Sequence, residues 1–141
     1  MLGNQAVGTN DIERSKRFYT AVFQVLGGGE ATESTDTDGS RRLIFRNAGF
    51  RFEVIEPFDR RPVTFGSRSY VGLFCESPGQ VLQFYAVAVK HGGTPFQQPH
   101  GPQSDESGDL HCAYVLDPDE NKLCAYHSST VQRRLREHGA A

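Results

Sequence analysis

Hydrophobic and polar positions along this chain switch between a strand-like and a helix-like period, and they do so twice. Gln5 to Thr9 forms a short strand-like run ending at Asn10. Beyond it Ile12, Tyr19, Val22, Phe23 and Leu26 recur at helical spacing, with Glu13, Arg14, Lys16 and Arg17 on the other faces, which predicts an amphipathic helix. Asn10 is the predicted N-cap, with Glu13 as its capping-box partner. Gly27-Gly28-Gly29 should end the helix, because glycine accepts the left-handed terminal conformation. Thr32 to Thr37 and Arg41 to Arg46 flank Asp38-Gly39, a hairpin signal. After a second turn at Asn47-Ala48-Gly49, Phe50, Phe52, Val54 and Glu56 alternate with Arg51, Glu53 and Ile55. The first half therefore predicts strand, helix and three strands.

Pro57 to Ser69 has linker composition: prolines, a glycine and the charged residues Asp59, Arg60, Arg61 and Arg68. The pattern then restarts. Ser69 to Cys75 is a mostly apolar strand, and Ser77-Pro78-Gly79-Gln80 combines a serine cap, a proline at the first helical position and a glutamine three after the cap. The second helix runs from Val81 to about His91 and stops at Gly92-Gly93. The polar stretch Gln97 to Asp109 predicts a mobile loop of the kind that covers sites. His111 to Leu116 and Lys122 to Tyr126 predict a hairpin across Asp117-Pro118-Asp119-Glu120-Asn121, and Thr130 to His138 a short basic helix before a fraying Gly139-Ala140-Ala141 end.

The two halves are echoes of each other. Arg17-Phe18-Tyr19-Thr20-Ala21-Val22, leading to Gly27-Gly28, reappears as Gln83-Phe84-Tyr85-Ala86-Val87-Ala88, leading to Gly92-Gly93. Phe18 and Phe84 stand 66 residues apart in a chain of 141, which suggests two similar supersecondary modules packed as one domain rather than a solenoid. Module one spans about 4–57, the linker about 58–68 and module two about 69–128, together a single domain over 1–128 with a tail over 129–141. Phe18, Tyr19, Phe84 and Tyr85 are expected in the helix–sheet core.

Composition narrows the function classes. The formal charge of −2 gives no nucleic-acid footprint. Arg60-Arg61 and the Arg133, Arg134 and Arg136 cluster read as solvated surface. No apolar run approaches the roughly 20 residues of a membrane span, and the N-terminus has no secretory pattern. Cys75, Cys112 and Cys124 are odd in number and lack CxxC spacing, so a reduced, cytoplasmic protein is expected.

Three segments carry a resemblance: Val7-Gly8-Thr9-Asn10-Asp11-Ile12-Glu13-Arg14-Ser15 running into Arg17-Phe18-Tyr19; Gly92-Gly93-Thr94-Pro95; and Ala113-Tyr114-Val115-Leu116-Asp117-Pro118-Asp119-Glu120-Asn121-Lys122-Leu123. In this order and spacing the chain resembles the vicinal oxygen chelate superfamily of glyoxalases, extradiol dioxygenases, and fosfomycin and bleomycin resistance proteins. Where the family usually has glycine, this chain has Glu120. The resemblance implies an α+β fold of two βαβββ modules whose curved mixed sheets enclose a central cavity, and a homodimer.

It also implies where metal ligands would stand in metal-dependent relatives, and there this chain departs. The first histidine position falls on Asn4, the next on Tyr70, and the final glutamate on Cys124; Glu53, or else Glu56, retains the ligand of the first module's last strand. Asn and Tyr are poor ligands for a divalent ion. The expectation is a glyoxalase/bleomycin-resistance-like protein without the usual metal, binding a small organic molecule between the sheets. Asn4 and Tyr70 would anchor polar groups, Glu53 and His111 would accept charge or protons, and Cys124 would pack the wall. Two other classes compete. One is a lyase, isomerase or dioxygenase with an altered metal site for zinc, nickel, iron or manganese, built from Glu53, Cys124 and His111 or His127. The other is a partner-binding module with a filled cavity. A raised pKa would make Glu53 a general base. Strand alternation argues against a Cys124–His127 dyad.

Overall fold

The computed structural model describes residues 3–47, 49–57, 70–96 and 102–137. The predicted linker, Arg60-Arg61, Gln97 to Gly101 and the Gly139-Ala140-Ala141 end lie outside the described residues.

Module one runs β1 (Gly3–Gly8), α1 (Ile12–Val25), β2 (Thr32–Thr35), β3 (Arg41–Asn47) and β4 (Phe50–Glu56). Its sheet has the order β1-β4-β3-β2, with β1 parallel to β4 and the other pairs antiparallel. Module two runs β5 (Val71–Phe74), α2 (Pro78–Lys90), β6 (Thr94–Pro95), β7 (Gln103–Ser104), β8 (Leu110–Leu116) and β9 (Lys122–Ser128), and α3 (Ser129–Glu137) follows. Its sheet order is β5-β9-β8-β6, with β7 also on β8. The strand that corresponds to β2 is thus divided into β6 and β7. The fold is the expected α+β pair of mixed sheets.

Two local expectations are corrected. Asp11, not Asn10, caps α1: its carboxylate accepts from Arg14 N, while Asn10 N instead donates to Asp119. The polar stretch after residue 101 is not all loop, since Gln103 and Ser104 pair in register with Cys112 and His111. Ser77 and Pro78 start α2 as expected, and Gln80 does more than cap: its amide accepts from Glu76 N and donates to Val25 O at the end of α1.

Each helix covers one face of its own sheet. Ile12, Phe18, Tyr19, Val22 and Phe23 of α1 are buried with Leu43, Phe45, Phe52 and Val54, and Val81, Phe84 and Ala88 of α2 with Leu73, Ala113, Val115, Leu123 and Ala125. Phe23 and Phe45 stack with centroids 4.6 Å apart. The repeated glycines have a shared cause. Gly27 and Gly92 adopt positive φ (76° and 104°) and terminate the helices. A Cβ on Gly28 would sit 2.4 Å from Arg46 O, and one on Gly93 2.8 Å from Ala88 O and 3.2 Å from Leu116 O. The backbone must pass that close for each helix to lie on its sheet.

Side-chain amides join the modules. β5 is an edge strand, and an edge leaves backbone groups to be satisfied. Gln5 donates to Gly72 O (2.9 Å) and accepts from Gly72 N (3.1 Å), and Asn47 does the same for Phe74 (3.2 and 3.1 Å). Asn121 of module two reciprocates by donating to Gly8 O at 2.9 Å. Gly8 and Phe74 are again 66 residues apart. Among the described residues no helix is long and apolar enough to cross a membrane.

Candidate functional site

Alternation assigns every strand residue to the helix-covered or the helix-free face of its sheet. On β3 and β4, Leu43, Phe45, Phe52 and Val54 are buried under α1. Arg42, Ile44, Arg46, Arg51, Glu53 and Ile55 therefore take the helix-free face, with Asn4 and Ala6 beside them on β1. In module two Leu73, Ala113, Val115, Leu123 and Ala125 meet α2. That leaves Gly72, Phe74, Cys112, Tyr114, Cys124 and Tyr126 on the helix-free face, in direct cross-strand register.

Of the predicted site residues, Asn4, Glu53 and Cys124 occupy helix-free faces, and Tyr70 stands at the entrance to β5. Tyr70 is 58% exposed and meets Tyr114 edge to face at 6.0 Å. His111 does not join them. It shares the parity of Ala113 and Val115, so it faces α2 and lines a groove of about 200 Å³ with Pro78, Val81, Leu82, Pro102, Gln103 and Ser104. His127 is directly opposite it, with ring centroids 6.5 Å apart and Nδ1 2.9 Å from Cys75 O. The proposed Glu53, His111 and Cys124 metal set is therefore not assembled, and substituting His127 for His111 fails for the same reason. Cys124 and His127 are on opposite faces, as alternation requires.

The retained carboxylates are already engaged. Glu53 Oε1 accepts from Arg42 Nη1 at 2.8 Å and Arg51 Nη2 at 3.1 Å, and Arg42 also binds Asp36. Burial alone would push the Glu53 carboxyl up, but the hydrogen bonds from Arg42 and Arg51 prevail and hold it below its ordinary value. The shift runs opposite to the raised value a general base would need, and the carboxylate serves as an anchor for the two arginines. Glu56 accepts from Ile12 N at 2.9 Å, satisfying the first amide of α1. Burial, then the neighbouring Cys112, push the Cys124 thiol up to about 12. A thiol held in its protonated form is a poor nucleophile. Among the described residues no three His, Cys, Asp or Glu side chains converge as a metal site would require. With an amide at Asn4, a phenol at Tyr70 and Glu53 bound by two arginines, the donor set does not fit a divalent ion.

A cavity of about 270 Å³ opens where β1 crosses β5, lined by Gln5, Ala6, Val7, Tyr70, Val71, Asn121 and Lys122. Tyr70 is the one predicted site residue on its wall. Asn121 is buried, and its Oδ1 has no hydrogen-bond partner. Lys122 Nζ sits 4.8 Å from the centre of the Phe96 ring.

The two motifs at either end of the chain turn out to bind each other. Asp119 accepts from Thr9 Oγ1 (2.6 Å), Asn10 N (3.1 Å), Arg14 Nη2 (2.7 Å) and Ser15 Oγ (3.1 Å). Asp117 accepts from Tyr19 Oη (2.6 Å), from Asp119 N and Asn121 N (both 2.8 Å), and from Asn121 Nδ2 (2.7 Å). These segments form the joint between the modules. Sequence reasoning missed the arginines and Tyr114. Their signal was the period-two placement of Arg42 and Arg46 around the apolar Leu43 and Phe45.

Residues 2–125 match the family model for the Glyoxalase/Bleomycin resistance protein/Dioxygenase superfamily. A glyoxalase/bleomycin resistance protein from Albidiferax ferrireducens T118 is 35% identical over 88% of this chain and 95% of its own, with a TM-score of 0.75. A glyoxalase/bleomycin resistance protein/dioxygenase family enzyme from Burkholderia phytofirmans PsJN, 16% identical over 87% of this chain and 94% of its own, has a TM-score of 0.62. A mutant of the fosfomycin resistance protein FosX of Listeria monocytogenes, complexed with Mn(II) and 1S,2S-dihydroxypropylphosphonic acid, has the same fold at 14% identity (TM-score 0.64, covering 98% of this chain and 97% of that one). No curated protein matches the chain.

Proposed function

The chain belongs to the Glyoxalase/Bleomycin resistance protein/Dioxygenase superfamily, and on that premise we propose that it binds a small organic molecule on the helix-free faces of its sheets without a metal. One observation carries this reading. Glu53, the carboxylate that the resemblance places at a ligand position, already accepts from both Arg42 and Arg51 on Oε1. Stripping two guanidiniums from it to hold a cation would cost more than an open site would.

Asn4 supplies an amide and Tyr70 a hydroxyl and a ring, while Cys112, Cys124 and Tyr114 form an apolar, uncharged wall. A homodimer is the proposed assembly. The metal-dependent lyase, isomerase or dioxygenase finds no support in the donor set, because His111 lies across the sheet from Cys124.

Elemental analysis of protein purified without chelator, combined with a thermal-shift ligand screen with and without divalent ions, tests the proposal. Metal-independent stabilisation by an organic compound is the expected result. Near-stoichiometric zinc, nickel, iron or manganese, or stabilisation that requires metal, overturns it.

A further inference from the structure

We infer that the charged end of the ligand is an oxyanion, a carboxylate or a phosphate, held by Arg46 and Arg51. The inference rests on the binding function proposed above and adds the chemical class of the ligand.

Arg46 of β3 and Arg51 of β4 are directly opposed across an antiparallel pair, and Asn4 of β1 is in register with Arg51. Two guanidiniums and an amide therefore form a row across three neighbouring strands at one level. Directly opposed side chains have Cβ atoms about 5 Å apart, and like charges there repel. The counter-charge is incomplete. Glu53 is shared by Arg51 and Arg42, and Asp36 is taken by Arg42. Among the described residues three guanidiniums thus face two carboxylates. The Arg46 guanidinium has no hydrogen bond or ion pair among the described residues, and Arg51 Nε is buried without an acceptor.

An oxyanion placed between Arg46 and Arg51 relieves the repulsion, completes the charge balance and meets the fork geometry that suits guanidinium to carboxylate and phosphate. A neutral ligand would leave the repulsion in place. A cationic one would worsen it.

The test is a titration at fixed ionic strength with benzoate, phenyl phosphate, benzamide and benzylamine, read by calorimetry and thermal shift. It compares wild type, Arg46→Gln and the distant surface control Arg134→Gln. The expected result is that benzoate or phenyl phosphate binds wild type and Arg134→Gln alike, binds Arg46→Gln at least tenfold more weakly, and outcompetes the uncharged amide. Whichever of the two anions binds more tightly identifies the oxyanion. The Arg46 side chain is exposed and has no partner among the described residues, and its loss relieves the repulsion with Arg51, so the variant should melt at or above the wild-type temperature. Equal binding of benzamide or benzylamine, or anion binding indifferent to Arg46→Gln, overturns the oxyanion and leaves the binding function standing. Binding of none of the four overturns the oxyanion, and failure of the wider ligand screen then removes the binding function as well.

Discussion

The hydroxyl of Tyr19, fully buried in module one, donates to the carboxylate of Asp117 in module two at 2.6 Å. Burial, and then the Asp117 charge, hold the Tyr19 phenol well above its ordinary value, so it remains a donor. Burial pushes Asp117 up as well, while bonds from Tyr19 and Asn121 and from the amides of Asn121 and Asp119 pull it back. Tyr19→Phe keeps the ring in its edge-on contact with Phe18 and removes only the donor. The expected loss is about 1–3 kcal/mol, the cost of a buried acceptor losing a partner. Urea unfolding measures it, and a loss under about 0.5 kcal/mol would mean that the bond contributes little to joining the modules.

Glu120 holds a left-handed backbone (φ 68°) in the β8–β9 turn. That conformation costs a residue bearing a Cβ about 1 kcal/mol relative to glycine. Glu120→Gly should therefore raise stability by about that amount and the melting temperature by about 3–4 °C. Calorimetry would detect it; a lower melting temperature would show that the glutamate side chain has a compensating role.

The Glu53 carboxyl is lowered in the folded state, so its contribution exists above the unfolded carboxylate pKa of about 4.3 and fades as pH falls through the folded value. Glu53→Gln should cost about 1–2 kcal/mol at neutral pH. Unfolding curves of wild type and variant should converge under acid conditions. A pH-independent difference would locate the effect in packing instead of charge.

All three cysteines are buried, and burial pushes Cys75 as well as Cys124 up to about 12. Buried thiols are shielded from reagents. A disulfide reagent at mildly alkaline pH should label Cys75, Cys112 and Cys124 rapidly only after denaturation. Fast labelling of the native protein at Cys124 would point to an open, reactive wall.

Much of the fold was legible in the sequence because it depends on local signals: the helical periods of α1 and α2, Ser77-Pro78 at a helix start, and the glycines at both helix ends. The misplaced cap shows the limit of such signals. Asn10 and Asp11 are both good N-caps, and a partner 109 residues from Asn10, Asp119, decides between them. The site was less legible. Parity along a strand predicts which residues share a face, but the register that turns His111 toward α2 is set by pairing with β9. The neutralisation of Glu53 by Arg42 depends on the β3–β4 register, which one strand alone does not encode.

The joint between the modules is not symmetric, although the modules are. Module two contributes the acids Asp117 and Asp119; module one contributes the phenol, hydroxyls and guanidinium of Tyr19, Thr9, Ser15 and Arg14. Two copies of either half would bring donor to donor or acid to acid. Each half thus carries the complement of the other at this joint, so that separately expressed halves should find one another and not themselves.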